Sequence, residues 1–367
     1  MSTPPPPAWA GDAEYMVWAK LHSAARYNLA TSGLGNLPLR DLPVRLDDLD
    51  LTGPGGYGHP PLVEALAAHS KVDPANVVAI SGGTSFANHL ALAALLRPGD
   101  EALIESPAYS LMAAVVRYLG ATVEDFPRRH EDGYALDAAE IRQRLTSRTR
   151  VIVLTNLHNP TSVLCREDAL RAVQDVAREA KCRVLVDEVY LEAAFEDAPP
   201  SSFHLGPEFV VTSSLTKVYG LSGLRCGWIL ADPDLARALW RLNDLFGVNA
   251  PHAAESLALI ALADLEDIKE RARRVLSANR PLLEGFLGAR DDLDVVRTRY
   301  GTTSFPRLRR GSVDELCTRL RARYETSVVP GRFFGAPGHI RVGIGGDTSM
   351  VKEGLGRLAQ ALDETKT

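Results

Sequence analysis

The side chains best suited to chemistry in this chain lie in one loop, Ser213-Ser214-Leu215-Thr216-Lys217-Val218-Tyr219-Gly220-Leu221-Ser222-Gly223-Leu224-Arg225-Cys226-Gly227-Trp228. The amine of Lys217 can condense with an aldehyde, while the Ser214 hydroxyl and the Arg225 guanidinium can hold a phosphate dianion. Groups of matching chemistry recur elsewhere. In Gly82-Gly83-Thr84-Ser85 the glycines let an anion approach the backbone, and N–H groups at a helix start favour a phosphate. A plain strand-to-helix turn looks the same, and this one lacks the lysine of a nucleotide P-loop. Asn159, in Asn156-Leu157-His158-Asn159-Pro160-Thr161, is held extended by the following proline and can donate to a ring oxygen or a carboxylate. An ordinary Asn-Pro turn is the alternative. Arg341 lies in the apolar run His339-Ile340-Arg341-Val342-Gly343. A mostly buried arginine needs a carboxylate, and its planar fork suits the α-carboxylate of an amino acid; a structural ion pair competes with that reading.

Phe209-Val210-Val211 leads into the lysine loop and Trp228-Ile229-Leu230 leads out of it. Taken whole, the segment resembles the Schiff-base lysine motif of class I/II aminotransferases, pyridoxal-phosphate (PLP) enzymes of fold type I that include aspartate aminotransferase. Further segments agree in order. Asp187, in Val186-Asp187-Glu188-Val189-Tyr190, ends an apolar strand, where an acid is costly without a cation or donor. The pyridinium nitrogen of PLP is such a partner; a carboxylate that keeps it protonated lets the ring draw electrons from the substrate Cα. Tyr190 can hydrogen-bond the ring oxygen. A structural acid at a strand end remains the other reading.

The resemblance implies that Tyr109, in Glu105-Ser106-Pro107-Ala108-Tyr109, stacks on the pyridine ring, although a packed core tyrosine reads alike. It implies that Tyr57, in Gly55-Gly56-Tyr57-Gly58-His59, reaches the cofactor phosphate of a neighbouring subunit in a homodimer with shared active sites. Gly83, Thr84, Ser85, Tyr109, Asn159, Asp187, Tyr190, Ser214, Lys217 and Arg225 are the expected cofactor-binding residues. Arg341, Asn159 and Gly33 are expected around the substrate, and no metal is expected. Ser32-Gly33-Leu34-Gly35 departs from the family's glycine-proline pattern there, and Ser162 stands where the family usually has glycine after Asn159-Pro160-Thr161. Val329-Pro330-Gly331-Arg332-Phe333-Phe334-Gly335 also resembles the family's approach to the carboxylate arginine.

The elements that must position these residues are legible as alternating runs. Val77–Ile80, Glu101–Ile104, Thr122–Val123, Val151–Leu154 and Val184–Val186 read as strands, separated by helices near 86–96, 111–119 and 168–180. Such β-α-β alternation predicts a largely parallel sheet with ligands beyond the carboxyl ends of its strands. Long helices follow over 231–285, then short strands around 293–296, 303–305, 328–329 and 340–342, and a last helix near 349–363. The fold class expected is α/β, the PLP-dependent transferase fold type I. Its large domain, residues 46–267, carries a mostly parallel seven-stranded sheet flanked by helices. Residues 1–45 with 268–367 form a smaller α+β domain, preceded by a proline-rich arm over 1–10.

The 367 residues carry a formal net charge of -5 and 46% hydrophobic residues, which argues against a nucleic-acid surface. Four scattered cysteines without a CxxC pair read as reduced thiols, and neither a secretory leader nor a membrane-length apolar run is seen; a cytoplasmic protein is expected. The function expected is transfer of an amino group between an α-amino acid and a 2-oxo acid in amino-acid metabolism, with a biosynthetic role. A PLP-dependent lyase, cyclase or decarboxylase on the same fold is the nearest alternative, because the motifs do not separate these outcomes. A nucleotide-dependent oxidoreductase is disfavoured by the missing dinucleotide glycine spacing. A ligand-sensing regulator would need a DNA-binding module, for which 45 leading residues leave no room. Asp244-Leu245-Phe246-Gly247-Val248-Asn249, expected near the partner's substrate, offers an acid and a phenyl ring instead of an arginine. Dicarboxylic substrates are therefore not expected to be favoured, unless Arg297 or Arg299 swings in.

Overall fold

A computed structural model of the protein describes residues 13–364; the proline-rich arm lies outside the described residues. The chain opens with α1 (Glu14–Leu21) and β1 (Tyr27–Asn28), and α2 (Pro60–Ser70) starts on the Pro60-Pro61 pair. Prolines suit a first helical turn because its N–H groups have no intrahelical partner. Then β2 (Val77–Ser81), α3 (Gly83–Leu95), β3 (Glu101–Ser106), α4 (Ser110–Tyr118), β4 (Thr122–Pro127), α5 (Ala138–Arg144), β5 (Thr149–Thr155), α6 (Glu167–Ala180), β6 (Arg183–Asp187), β7 (Phe209–Ser214) and β8 (Cys226–Leu230) build the central layer.

These seven strands form one sheet in the order β2-β8-β7-β6-β5-β3-β4. Only β8 runs antiparallel to its neighbours, β2 and β7. The inner strands are almost wholly buried: Val151, Ile152, Val153 and Leu154 of β5 are each at most 2% exposed. Unbroken branched-apolar runs of this kind belong to strands covered on both faces. The expected mostly parallel, seven-stranded α/β sheet is therefore observed. The register aligns Thr155 with Asp187 and Asp187 with Thr212, so the carboxyl ends of β5, β6 and β7 lie side by side.

Helices α7 (Pro233–Asn243), α8 (His252–Ala263) and α9 (Leu265–Gly288) occupy the stretch read as long helices. Short elements follow: β9 (Leu293–Asp294), β10 (Thr303–Ser304), β11 (Arg307–Leu308), α10 (Val313–Tyr324), β12 (Thr326–Ser327), β13 (Val329–Pro330), β14 (Ile340–Gly343) and α11 (Thr348–Asp363). β14 lies between β10 and β13 in a small antiparallel sheet, which carries Arg341, and β1 pairs in parallel with β12. Helices α5 and α10 have no counterpart in the sequence reading, and α3 begins at Gly83, one turn before the expected Phe86. Gly82 (φ +111°) and Gly83 (φ +68°) turn the chain straight from strand into helix, a conformation glycine adopts without a Cβ clash.

Candidate active site

The carboxyl ends of the central strands meet the small sheet at a cavity of about 310 Å³, lined together by Asp187, Lys217, Thr84, Ser85, Arg225 and Arg341. At its deep end Asp187 is buried. One carboxylate oxygen accepts from Asn88 Nδ2 at 2.8 Å and the other from the Val189 backbone N–H at 3.1 Å. Asn88 is oriented in turn by Thr212, whose hydroxyl donates to Asn88 Oδ1. Burial pushes the Asp187 carboxyl up to about 6, against the opposing pull of these donors and of Lys217. The site thus holds a carboxylate whose charge is incompletely compensated by the chain itself, the environment expected for a group that meets a cation.

The opposite end is a network of hydroxyls beside a guanidinium. Thr84 donates to Ser214 Oγ at 2.6 Å, and Ser214 and Thr216 hydroxyls lie 2.7 Å apart. Ser214 is itself buried and orients Thr84 and Thr216, which line the cavity. Thr84 and Ser85 sit in the first turn of α3, where free N–H groups and the helix dipole favour an anion. The Arg225 guanidinium bonds the Gly82 and Ser222 carbonyls. Close packing here depends on glycine: a Cβ on Gly83 would come within 2.9 Å of Arg225 Nη2, and one on Gly227 within 2.7 Å of the Gly83 carbonyl carbon. Ser85, Ser222 and Arg225 are exposed, so this end opens to solvent in a single chain.

Lys217 lies in the loop after β7, and its amine donates to Ser32 Oγ at 3.2 Å. Burial, reinforced by Arg341 and Arg225 and opposed by Tyr15 and Asp187, lowers its pKa below the usual lysine range. Tyr190 is directed at the same serine, donating to Ser32 Oγ at 2.7 Å, and burial raises its hydroxyl to about 12. Gly33 packs under the lysine: a Cβ there would lie 3.1 Å from the Lys217 carbonyl oxygen and 3.4 Å from Cδ.

Arg341 is 1% exposed. It donates to Asn159 Oδ1 at 2.9 Å, to the Tyr15 hydroxyl at 3.0 Å and to the Ala30 carbonyl at 3.1 Å. Its Nε is buried without a hydrogen-bond partner among the described residues. Tyr109 also lines the cavity; its ring meets Tyr15 edge-on at 5.4 Å and its hydroxyl donates to the Met16 sulfur. Burial acts to raise the Tyr15 pKa, but Arg341 and Lys217 outweigh it and hold the phenol below its ordinary value.

Lys217, Asp187, Thr84, Ser85, Tyr109, Asn159, Tyr190, Arg225 and Arg341 thus all line one cavity, with Gly83, Ser214 and Gly33 directly behind it. Tyr57 stands apart. It is 57% exposed, and its hydroxyl donates to Asp244 at 3.3 Å. Arg297 and Arg299 pair with Glu284 and Asp197 and do not line the cavity. The sequence reading missed Tyr15, Met16, Trp18, Ser32, Asn88 and Thr216. Ser32 and Thr216 stand inside segments the sequence already singled out, and Asn88 carried a signal as a polar residue among Ala87, Leu90, Ala91 and Leu92 on the buried face of α3.

The donor set fits pyridoxal phosphate. A lysine of lowered pKa, a buried acid, a hydroxyl and guanidinium cluster at a helix start and an arginine with an unused buried N–H all face one space of suitable size. Comparison with known proteins agrees. The aminotransferase class I and II family profile matches residues 48–358. The chain is 29% identical over 350 residues to capreomycidine synthase of Streptomyces vinaceus, covering 92% of this chain and 90% of the relative. It is 27% identical to a probable aspartate/prephenate aminotransferase of Aquifex aeolicus, covering 83% and 80%. A PLP-dependent aminotransferase of Streptococcus suis superposes with a TM-score of 0.90 at 24% identity, over 98% of this chain and 99% of that one. With the profile spanning most of the chain and the site residues gathered in one cavity, the chain belongs to the class I and II aminotransferase family.

Proposed function

We propose that this PLP-dependent aminotransferase holds its cofactor on Lys217 and exchanges an amino group between an α-amino acid without a second carboxylate and a 2-oxo acid. The observation that carries the reading is the convergence of Lys217, Asp187 and Arg341 on one cavity. Bound pyridoxal phosphate supplies an aldehyde for amine exchange and a ring that withdraws electrons from the substrate Cα. Asp187, fixed by Asn88, would hold a proton on the ring nitrogen. Thr84, Ser85 and Arg225 would anchor the phosphate, with Ser214 behind them orienting Thr84. Asn159 would orient the ring oxygen, with Tyr190 beside it giving its proton to Ser32, and Tyr109 would lie against the ring. Arg341 binds the α-carboxylate, with Tyr15 giving up its place on the guanidinium. With the cofactor bound, the Lys217 amine would be placed to move a proton at the substrate Cα, and burial together with Arg341 and Arg225 lowers its affinity for that proton.

Side-chain preference is supported by the cavity wall. Tyr15, Met16, Trp18 and Tyr109 line it, and among the described residues its arginines are Arg225 and Arg341. A second carboxylate would find no further bidentate partner. We also assign the division into a large domain over 46–267 and a smaller one over 1–45 and 268–367. The central sheet lies wholly within the first, and the short strands β9 to β14 lie within the second. A homodimer with shared sites is supported by the open phosphate end and by Leu51, Tyr57, Phe246 and Val248, exposed large side chains around the Tyr57 loop. Four free cysteines favour a cytoplasmic setting, where amino-acid biosynthesis is the role we assign.

The test is a panel of amino donors watched through the cofactor's visible spectrum in single half-reactions. Aromatic, aliphatic or basic donors should convert the spectrum, and a 2-oxo acid should restore it. Aspartate and glutamate far outrunning all others would overturn the preference. The resemblance to a synthase favours one second reading, a lyase or cyclase. Release of ammonia and pyruvate without any 2-oxo acid would establish the lyase, and a cyclised product formed from the amino acid alone would establish the cyclase.

A further inference from the structure

Ser32 is a residue the lysine motif does not contain, yet its hydroxyl contacts the Lys217 amine directly. It is 6% exposed. Its Oγ accepts from the Tyr190 hydroxyl at 2.7 Å and from the Lys217 amine at 3.2 Å, so a single oxygen joins the two groups. The surrounding backbone keeps it there. The Ser32 carbonyl accepts from Thr302 Oγ1 at 2.6 Å, and the Leu34 N–H donates to the Lys217 carbonyl at 2.8 Å. The segment Ser32-Gly33-Leu34 is therefore fastened both to the lysine backbone and to its side chain. Serine supplies the acceptor here; alanine at the same position would leave the Tyr190 hydroxyl and the lysine nitrogen without their common partner.

We propose that Ser32 is a catalytic residue of this site, whose hydroxyl oxygen accepts from Lys217 and Tyr190 together and so sets the protonation and direction of the lysine nitrogen. The proposal rests on the assignment of Lys217 as the cofactor lysine. The groups facing that nitrogen are Tyr15 from α1, Asp187 from the end of β6, Arg341 from β14, Arg225 before β8 and, through Ser32, Tyr190. Burial and the two arginines oppose a positive charge on the nitrogen, while Tyr15 and Asp187 favour it. Ser32 adds an acceptor on the favouring side. It also engages the Tyr190 proton, which otherwise would be free to stabilise negative charge on the cofactor's ring oxygen. Removing the serine oxygen changes both contacts in the same direction, toward easier loss of the proton from the Lys217 nitrogen.

The experiment is a pH titration of the visible band of the holoenzyme for wild type, Ser32→Ala, Ser32→Cys and Ser32→Thr, with folding checked by circular dichroism. Loss of a hydrogen bond to a charged nitrogen corresponds to a shift of about one pH unit. Ser32→Ala should lower the midpoint by about that much, and Ser32→Cys, a weaker acceptor of similar size, should lower it less. Ser32→Thr, which keeps the hydroxyl, should stay closer to wild type than either. Borohydride reduction and peptide mapping of the same samples separate two kinds of failure. Pyridoxyl on Lys217 with an unmoved or raised midpoint in folded Ser32→Ala or Ser32→Cys would overturn the role of Ser32 alone. Pyridoxyl on another lysine would overturn the proposal together with the assignment it rests on.

Discussion

Replacing Asp187 by asparagine should make the cofactor-free protein more stable at neutral pH while removing most of its activity. The carboxyl titrates at about 6 in the folded chain instead of 3.8, with burial as the leading cause. A raised acid pKa means that the folded state binds the proton more tightly than the unfolded chain. Stability is then greatest below the unfolded value, falls as pH rises through the window from about 4 to 6, and stays low above it. A shift of about two units at 1.36 kcal/mol each makes the buried charge cost about 3 kcal/mol at pH 7.5. Asparagine can still accept from Asn88, but its amide cannot accept from the Val189 N–H, a loss of about 1 kcal/mol. The net expectation is a gain of about 2 kcal/mol at pH 7.5 that disappears near pH 4. Urea unfolding of the cofactor-free wild type and Asp187→Asn at the two pH values measures it. A variant less stable than wild type at pH 7.5, or a difference independent of pH, would refute the assignment of an under-compensated carboxylate waiting for a cation.

Arg341→Ala should weaken all amino-acid donors together by several kcal/mol in kcat/KM, on the order of a lost charged hydrogen-bond pair, and Arg341→Lys should recover only part because a single ammonium cannot present two parallel donors. A donor-selective loss would mean that Arg341 reads the side chain. Mixing Lys217→Ala subunits with Tyr57→Phe subunits should partly restore activity, since one site of the mixed dimer then carries neither lesion; no recovery with subunit exchange demonstrated would point to sites built from one chain. The buried Glu105–Arg128 pair, 2.8 Å apart and both at most 2% exposed, underlies the strand ends next to Tyr109. Arg128→Met should destabilise the protein by about 3–5 kcal/mol by leaving Glu105 unpaired, and a change below 1 kcal/mol in urea unfolding would contradict that.

The central strands were legible because buried parallel strands are written as continuous branched-apolar runs, as in Val151–Leu154. The candidate site cluster was legible because its residues are local in sequence, with Ser214, Lys217 and Arg225 in one loop and Asp187 at the end of one strand. What escaped the sequence depends on distant contacts. Tyr15 meets Arg341 across 326 positions, and Ser32 meets Tyr190 across 158; Tyr15 sits in no pattern that marks it, and Ser32 lies in a marked segment whose contact with Tyr190 no local pattern reveals. The start of α3 was misplaced by one turn because two glycines resemble a loop, whereas their positive φ angles enter the helix directly. Arg297 and Arg299 pair with Glu284 and Asp197, acids whose proximity the sequence does not encode locally.

The most direct test of the account is to reconstitute the protein with pyridoxal phosphate, reduce it with borohydride and map the pyridoxyl group by mass spectrometry. The account predicts one label, on the peptide carrying Lys217, and none on the Lys217→Ala protein. A label on Lys20 or Lys181, or a visible band and label that persist in Lys217→Ala, would contradict it.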